Sequence, residues 1–291
     1  MQNLIKETKF ILDKYNIKAN KNLGQNFLID ENVVDSIIDA ANISNNDLII
    51  EIGPGLGTLT KKLLEQSKKV ICIELDSRMI SILNDRFKLY NNIEIINDDV
   101  LNVNLKQIIE REKSQQEIQE VKIVANLPYY ITTPIVMKLL EDKLDIESIT
   151  IMIQKEVADR LVSKPGEQLS GAISYAISYY TKPEKILYVP KEAFLPSPEV
   201  NSEVIKLNIL EKPPVEVENE KLFFKIIKLS FMQRRKTLVN ALYNGKLMEN
   251  KEDIENMLNQ LSIDTKIRGE KLTLSDFSKI TNFLIKTASQ K

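Results

Sequence analysis

Short apolar, β-branched runs punctuate the first two hundred positions, and each is followed by a segment whose apolar residues recur at helical spacing. DLIIEIG, KKVICIEL, NIEIIND, VKIVAN and SITIMIQ have the length and composition of buried strands. TLTKKLLEQ, SRMISILNDRF, the polar stretch around LKQIIEREKSQQ, residues 133–142, EVADRLV and GAISYAISYY have the spacing of helices. An amphipathic helix opens the chain over about 2–15, and Asp30 is placed to cap a helix over ENVVDSIIDAA. EKILYV and EVNSEVIKLNI add short strands. Strands alternating with helices predict an α/β fold with a largely parallel, doubly wound sheet. The proline- and acid-rich EKPPVEVENE (211–220) reads as a linker, and beyond it only helical periodicity appears, in KLFFKIIKLSF, RRKTLVNALY, KEDIENMLNQ and SDFSKITNFLI. The expected division is a first domain over 1–212 and a helical domain over 213–291.

The glycine-rich turn EIGPGLGT directly follows the first strand of the alternation. Gly53, Gly55 and Gly57 permit positive φ and let a ligand approach the backbone. The dinucleotide fingerprint would place its third glycine where Thr58 stands, which argues against a pyrophosphate ligand. Glu74, 21 residues beyond Gly53, ends the second strand, where a carboxylate accepts both hydroxyls of a ribose. Asp99 ends the third, within reach of an adenine amino group. Singly these are a tight turn, a helix-cap acid and an Asx-turn residue. Together, at successive strand ends, they point to a nucleoside without phosphates, and S-adenosylmethionine fits. Cys72 reads most simply as a buried strand residue.

VKIVANLPYYITTP (121–134) ends the next strand on an amide, a proline and two tyrosines. An exocyclic amine on a base is a poor nucleophile because its lone pair is delocalised into the ring. Two acceptors, the Asn126 side-chain oxygen and the Leu127 carbonyl, would each take one N–H and draw the nitrogen toward a tetrahedral shape. Pro128 confines Leu127 to extended conformations and so aims its carbonyl. Tyr129 offers a stacking face, worth about 1–3 kcal/mol per base. In FLPSPEVNSEVIKL (194–207) Phe194 precedes two prolines and is a candidate for the opposite face of the base, or else a hydrophobic plug beneath a proline loop.

Composition narrows the chemistry. The 291 residues include no histidine and one cysteine, which excludes a histidine base, an internal disulfide and the usual zinc sites, so no metal is expected. No run of about 18 uncharged apolar residues occurs, and the opening residues lack a signal-peptide core, so a soluble, cytoplasmic protein with no membrane partner is expected. A net charge of −1 predicts no polyanion partner by itself. Local charge does: seven basic residues and no acid lie between Lys221 and Lys246, among them Lys225, Lys228, Arg234, Arg235 and Lys236. With Phe231 and Tyr243 nearby, that run reads as a phosphate-tracking surface. Lys6, Lys9, Lys14, Lys18 and Lys21 form a second cluster, equally readable as a solvated face.

Taken together, NLGQNFLID, EIGPGLGTLT, IELD, NDDVL, NLPYYITTPI, FLPSPEVNSEVIKL and FMQRRKTLVNAL resemble the bacterial small-subunit ribosomal RNA adenine N6,N6-dimethyltransferases, over nearly the whole chain. The resemblance implies a class I (Rossmann-like) methyltransferase domain with a seven-stranded sheet, a small all-helical C-terminal domain and S-adenosylmethionine as methyl donor. It implies dimethylation of two adjacent adenosines near the 3′ end of the RNA in an immature small ribosomal subunit, carried out by a monomer. By motif, Asn26, Leu28, Gly53, Gly55, Glu74, Asp99 and Asn126 would line the cofactor site. Asn126, Leu127, Pro128 and Tyr129 would hold the adenine, with Phe194 opposite, and Lys225, Lys228, Arg234, Arg235 and Lys236 would meet RNA. The related large-subunit dimethyltransferases of macrolide resistance are the nearest alternative; Leu127 and the long helical tail weigh against them. A DNA adenine methyltransferase lacks support for want of a target-recognition domain, and a non-catalytic assembly or transcription factor would have no need of NLPY or Glu74.

Overall fold

The computed structural model describes residues 2–20 and 23–288, so Lys21 of the N-terminal basic cluster lies outside the described residues. Among the described residues there are nine strands: β1 (Phe27–Leu28), β2 (Leu48–Ile52), β3 (Lys69–Glu74), β4 (Ile93–Asn97), β5 (Val121–Asn126), β6 (Ser148–Gln154), β7 (Thr181–Val189), β8 (Phe194–Leu195) and β9 (Ser202–Ile209). Seven form one sheet in the order β4-β3-β2-β5-β6-β9-β7, and β1 pairs with β8 alone. The pairings from β4 through β6 are parallel, and β9 runs antiparallel to β6. The inner parallel strands β2, β3, β5 and β6 are buried along nearly their whole length, and for that reason they read as largely continuous apolar runs rather than alternating ones: Leu48, Ile49 and Ile50 of β2 are all fully buried, whereas the edge strand β4 is only partly covered. This is the doubly wound sheet that the alternation of patterns predicts.

After β2 the chain builds outward through β3 and β4, then returns to lay β5 on the other side of β2. A sheet that reverses its winding leaves a crevice at the carboxyl ends of the two central strands. The register pairs Ile52 with Ala125, so Gly53 and Asn126 are neighbours at that crevice. The glycine turn is built for it. Gly53, Gly55 and Gly57 all have positive φ (66°, 57° and 82°). Gly57 begins the helix Thr58–Gln66, and a Cβ there would lie 2.5 Å from Cε2 of Phe87, a buried ring that follows the helix Ser77–Arg86.

The chain forms two compact units, residues 1–158 with 183–209 and residues 159–182 with 210–291. Compared with the expected division at 212, the segment 159–182 groups with the C-terminal helices. The reason lies in its aromatic residues. Tyr175 and Tyr179, on the helix Ala172–Tyr180, are buried with Phe223 and Phe277 of the helices Glu220–Met232 and Leu274–Ala288. Tyr175 meets Phe277 at 5.3 Å between ring centroids, and Tyr179 meets Phe223 at 5.2 Å. The Tyr175 hydroxyl donates to the Leu272 carbonyl at 2.5 Å and accepts from Gly166 N–H at 3.1 Å, and burial pushes its pKa up to about 12. Among the described residues no helix is long and apolar enough to cross a membrane.

Gly57→Ala is expected to lose at least about 2 kcal/mol of stability, because it combines a left-handed backbone with a clash against a buried ring. Urea denaturation reads this directly; an unchanged midpoint would mean that the turn and Phe87 can shift apart freely.

Candidate active site

A cleft with about 1090 Å³ of empty space, its open mouth included, lies at the carboxyl ends of the central strands. Glu74, the last residue of β3, is buried in its wall. One carboxylate oxygen accepts Gly55 N–H at 3.0 Å and the other accepts Asp76 N–H at 2.8 Å. These bonds fix the carboxylate and leave further lone pairs for a ligand. Burial raises its pKa, and the two backbone donors oppose that shift. Glu74 does not cap the following helix: Asp76 does, accepting Arg78 N–H at 3.1 Å. At the end of β4, Asp99 lines the cleft while its Oδ1 accepts Leu101 N–H at 2.9 Å, so it is at once an Asx-turn residue and a wall residue.

On the other side of the switch point β5 delivers Asn126, Leu127, Pro128 and Tyr129 to the same cleft. The Asn126 amide nitrogen donates to the Asn26 carbonyl at 3.5 Å. That contact orients the amide, and the Asn126 oxygen has no donor among the described residues. Leu127 N–H is used up by the Met152 carbonyl at 3.1 Å, the last rung of the β5–β6 ladder, whereas its own carbonyl accepts nothing among the described residues. Two acceptors therefore stand free side by side. Tyr129 is fixed through its hydroxyl, 2.7 Å from Ser202 Oγ on β9, and partial burial raises its pKa.

The remaining wall comes from the polar segment before the second helix. Gln25 Nε2 donates to Asp76 at 2.8 Å, and its Oε1 accepts Asn20 N–H at 2.8 Å. Asn26 and Leu28 then line the cleft. β1 and β8 pair antiparallel with Leu28 opposite Phe194. Phe194 is buried, sits in the core cluster with Leu28 and Val33, and still contributes to the cleft wall. It therefore plugs the fold beneath the proline loop and also reaches the site. All the residues singled out for the cofactor and the adenine, including Gly53 and Gly55, line this one cleft.

The model of the ribosomal RNA adenine dimethylase family matches residues 16–286. The chain belongs to that family. It is 48% identical over 281 residues to the ribosomal RNA small subunit methyltransferase A of Alkaliphilus oremlandii, an alignment covering 97% of each chain. Among solved structures it is similar to a dimethyladenosine transferase from Plasmodium falciparum, with a TM-score of 0.74 and 27% identity over 91% of this chain and 98% of that one. The 23S rRNA methyltransferase ErmE shares the fold, with a TM-score of 0.66 and 22% identity over 89% of this chain and all of the other. The family and the Rossmann-like methyltransferase sheet are those the motifs indicated.

Among the cleft residues that sequence reasoning passed over is Glu51. It stands on β2 two residues before Gly53, is 1% exposed, and lines the cleft. Thr60 Oγ1 donates to its Oε2 at 2.6 Å, and the Cys72 thiol approaches the same oxygen at 3.6 Å. Burial pushes its carboxyl up to about 7, with the nearby Glu74 charge adding to the rise and the Thr60 and Cys72 bonds opposing it. Its signal was present in the glutamate that opens EIGPGLGT. A buried acid on an otherwise apolar strand has no packing reason to be there.

In the second unit the basic run divides. Lys221, Lys225 and Lys228 are exposed at helical spacing along Glu220–Met232, and Arg235 and Lys236 are exposed in the turn that follows. Arg234 is exposed as well, but its guanidinium is partly engaged by the protein. Its Nη2 donates to the Ser170 carbonyl at 3.0 Å and the Gln168 carbonyl at 3.3 Å, pairs with Glu270 at 3.3 Å, and its guanidinium lies 5.9 Å from the Phe231 ring centre. Identity and charge alone did not distinguish it from Arg235.

The Glu51 geometry fixes the sign of a pH dependence. The folded protein holds this proton up to about pH 7, whereas the unfolded chain releases it near 4.5. Folding therefore retains a proton between those values, and stability falls as pH rises through that window. Glu51→Gln is expected to remove this contribution, flattening the pH dependence of urea unfolding between about pH 5 and 7. Parallel profiles for the two proteins would show that Glu51 is ionised throughout.

Proposed function

We propose that the chain methylates the N6 amines of adjacent adenosines in the RNA of an immature small ribosomal subunit, with S-adenosylmethionine as donor, acting as a monomer in the cytoplasm. The observation that carries this reading is the pair of free acceptors, Asn126 Oδ1 and the Leu127 carbonyl, in the same cleft as the Glu74 carboxylate. The names of its relatives point the same way. The relative called a small-subunit methyltransferase is far closer in sequence than the large-subunit enzyme ErmE, at 48% against 22% identity.

The cleft suits the donor. Glu74 is held by two backbone N–H groups with lone pairs to spare for ribose hydroxyls. Asp99 lies at the next strand end for an adenine amine, and the glycine turn leaves room for a ligand against the backbone. Asn26 and Leu28 close the side, and Glu51 offers a carboxylate to a ligand ammonium. S-adenosylmethionine, when bound, supplies an electrophilic methyl group on a sulfonium. The protein's share of the chemistry is to present a lone pair to it in line.

Asn126 and Leu127 accept the two N–H groups of the adenosine amine and draw its nitrogen toward a tetrahedral geometry. Pro128 keeps the Leu127 carbonyl extended toward the amine. Tyr129, anchored by Ser202, stacks on the base, and Phe194 lies at the other face. No general base is required, because the methylated ammonium is acidic enough to give its proton to water. A chain without histidine can therefore run the reaction.

Asn126→Ala is expected to lower single-turnover methyl transfer to immature small subunits by about 10²–10³, by analogy with the loss of one oxyanion-hole donor, while the fold and RNA binding persist. Asn126→Asp, which keeps an acceptor, is expected to retain part of the rate. An alanine variant running near the wild-type rate would reduce Asn126 to a strand terminator and remove the main support for this function.

For RNA, the exposed Lys225, Lys228, Arg235 and Lys236 are proposed to contact phosphates. Replacing them together with alanine is expected to flatten the plot of log K against log salt by roughly 0.7–0.9 for each lost contact. Arg234→Ala, by contrast, is expected to destabilise the helical unit and leave the slope unchanged. A quadruple variant with the wild-type slope would make the stripe an ordinary solvated face.

A further inference from the structure

Tyr130, the second tyrosine of NLPYY, lines the mouth of the cleft with 57% of its surface exposed. Its neighbour Tyr129 is tied to Ser202, yet the Tyr130 hydroxyl has no partner among the described residues. Its place is set by the backbone and by its ring. Ile131 N–H and Thr132 Oγ1 both donate to the Pro128 carbonyl, at 3.3 and 3.1 Å, and hold the turn that carries it. The ring lies beside Gly24, whose φ is +61°. A Cβ there would lie 3.4 Å from Tyr130 Cδ1 and 3.5 Å from Pro128 Cβ. The segment before Asn26 thus lies along one side of an aromatic ring whose remaining surface is open, and glycine is favoured there by its left-handed backbone. A large aromatic residue left half in water but braced from behind, one residue along from a base-binding tyrosine, has the form of a shelf.

We infer that Tyr130 stacks the nucleobase next to the adenosine being methylated. The inference rests on the proposed function for the adenosine itself. Swinging one adenosine into the cleft breaks its stack with the next nucleotide, and single-stranded RNA regains such stacking on exposed aromatic faces. Every base has a π-face and Tyr130 offers no fixed hydrogen bond, so the shelf accepts any base and reads only its presence. With two adjacent target adenosines, Tyr130 holds one at the rim while the other occupies the cleft.

The test uses small subunits assembled on ribosomal RNA whose 3′ segment is ligated from a synthetic oligonucleotide. The nucleotide on either side of the target adenosine carries a base or is abasic. With the wild-type protein, loss of the base on one side is expected to weaken binding and raise KM about tenfold, with kcat within about twofold. Tyr130→Ala is expected to show the same tenfold weakening on intact RNA and no further loss on the abasic RNA. Tyr130→Phe should behave as wild type, and S-adenosylmethionine affinity should be equal in all three. If the losses from Tyr130→Ala and the abasic site simply multiply on both sides, or if Tyr130→Ala binds as wild type, Tyr130 is no shelf. Wild-type protein that binds intact subunits but transfers no methyl group overturns the proposed function instead, and the binding comparison still decides on Tyr130.

Discussion

The pairing of Phe27–Leu28 with Phe194–Leu195 closes a cleft that the sheet alone would leave open. The parallel strands can deliver Glu74, Asp99 and Asn126 to their carboxyl ends, but a row of strand ends forms only one side of a site. The opposing wall arrives from two distant stretches of chain, and two residues of antiparallel ladder hold them in register. Leu28 opposite Phe194 seats both side chains in the core while the adjoining Asn26 comes within reach of the Asn126 amide. The Gln25–Asp76 bond anchors the same segment to the start of the helix Ser77–Arg86. Orientation of the Asn126 amide, and hence the freedom of its oxygen, depends on this short ladder.

Those parts of the molecule that repeat a pattern were legible from the chain. Fully buried parallel strands give uninterrupted apolar runs, positive-φ turns call for glycine, and acids at successive strand ends are visible once the strands are placed. A two-residue ladder has no period, so β1 and β8 left no trace beyond the motifs around them. Partners close in space but far in sequence were equally hidden. Nothing in RRK distinguishes Arg234, which is exposed yet hydrogen-bonded to the Ser170 and Gln168 carbonyls, from the exposed Arg235 beside it. Glu51 was hidden in a different way, inside a motif whose glycines drew the attention.

The electrostatics of the chain depend on placement more than on totals. A net charge of −1 coexists with an acid-free basic stripe in the helical unit and with carboxylates gathered at the strand ends of the other. Buried acids in the cleft differ in how they are supported. Glu74 has two backbone donors, whereas Glu51 has a threonine hydroxyl and a distant thiol, and the cost of burying its charge falls more heavily on it.

The helical unit is assembled from separated pieces of chain. Residues 159–182 belong to it, but the rings that bury Tyr175 and Tyr179 arrive later, with Phe223 and Phe277. During synthesis the helix Ala172–Tyr180 therefore emerges with its aromatic face uncovered and must wait for about a hundred further residues before that face is enclosed. The first unit, interrupted by this segment, can complete its sheet once β9 has been made. The order of the chain thus sets the order in which packing partners become available during synthesis, those of the sheet before those of the two tyrosines.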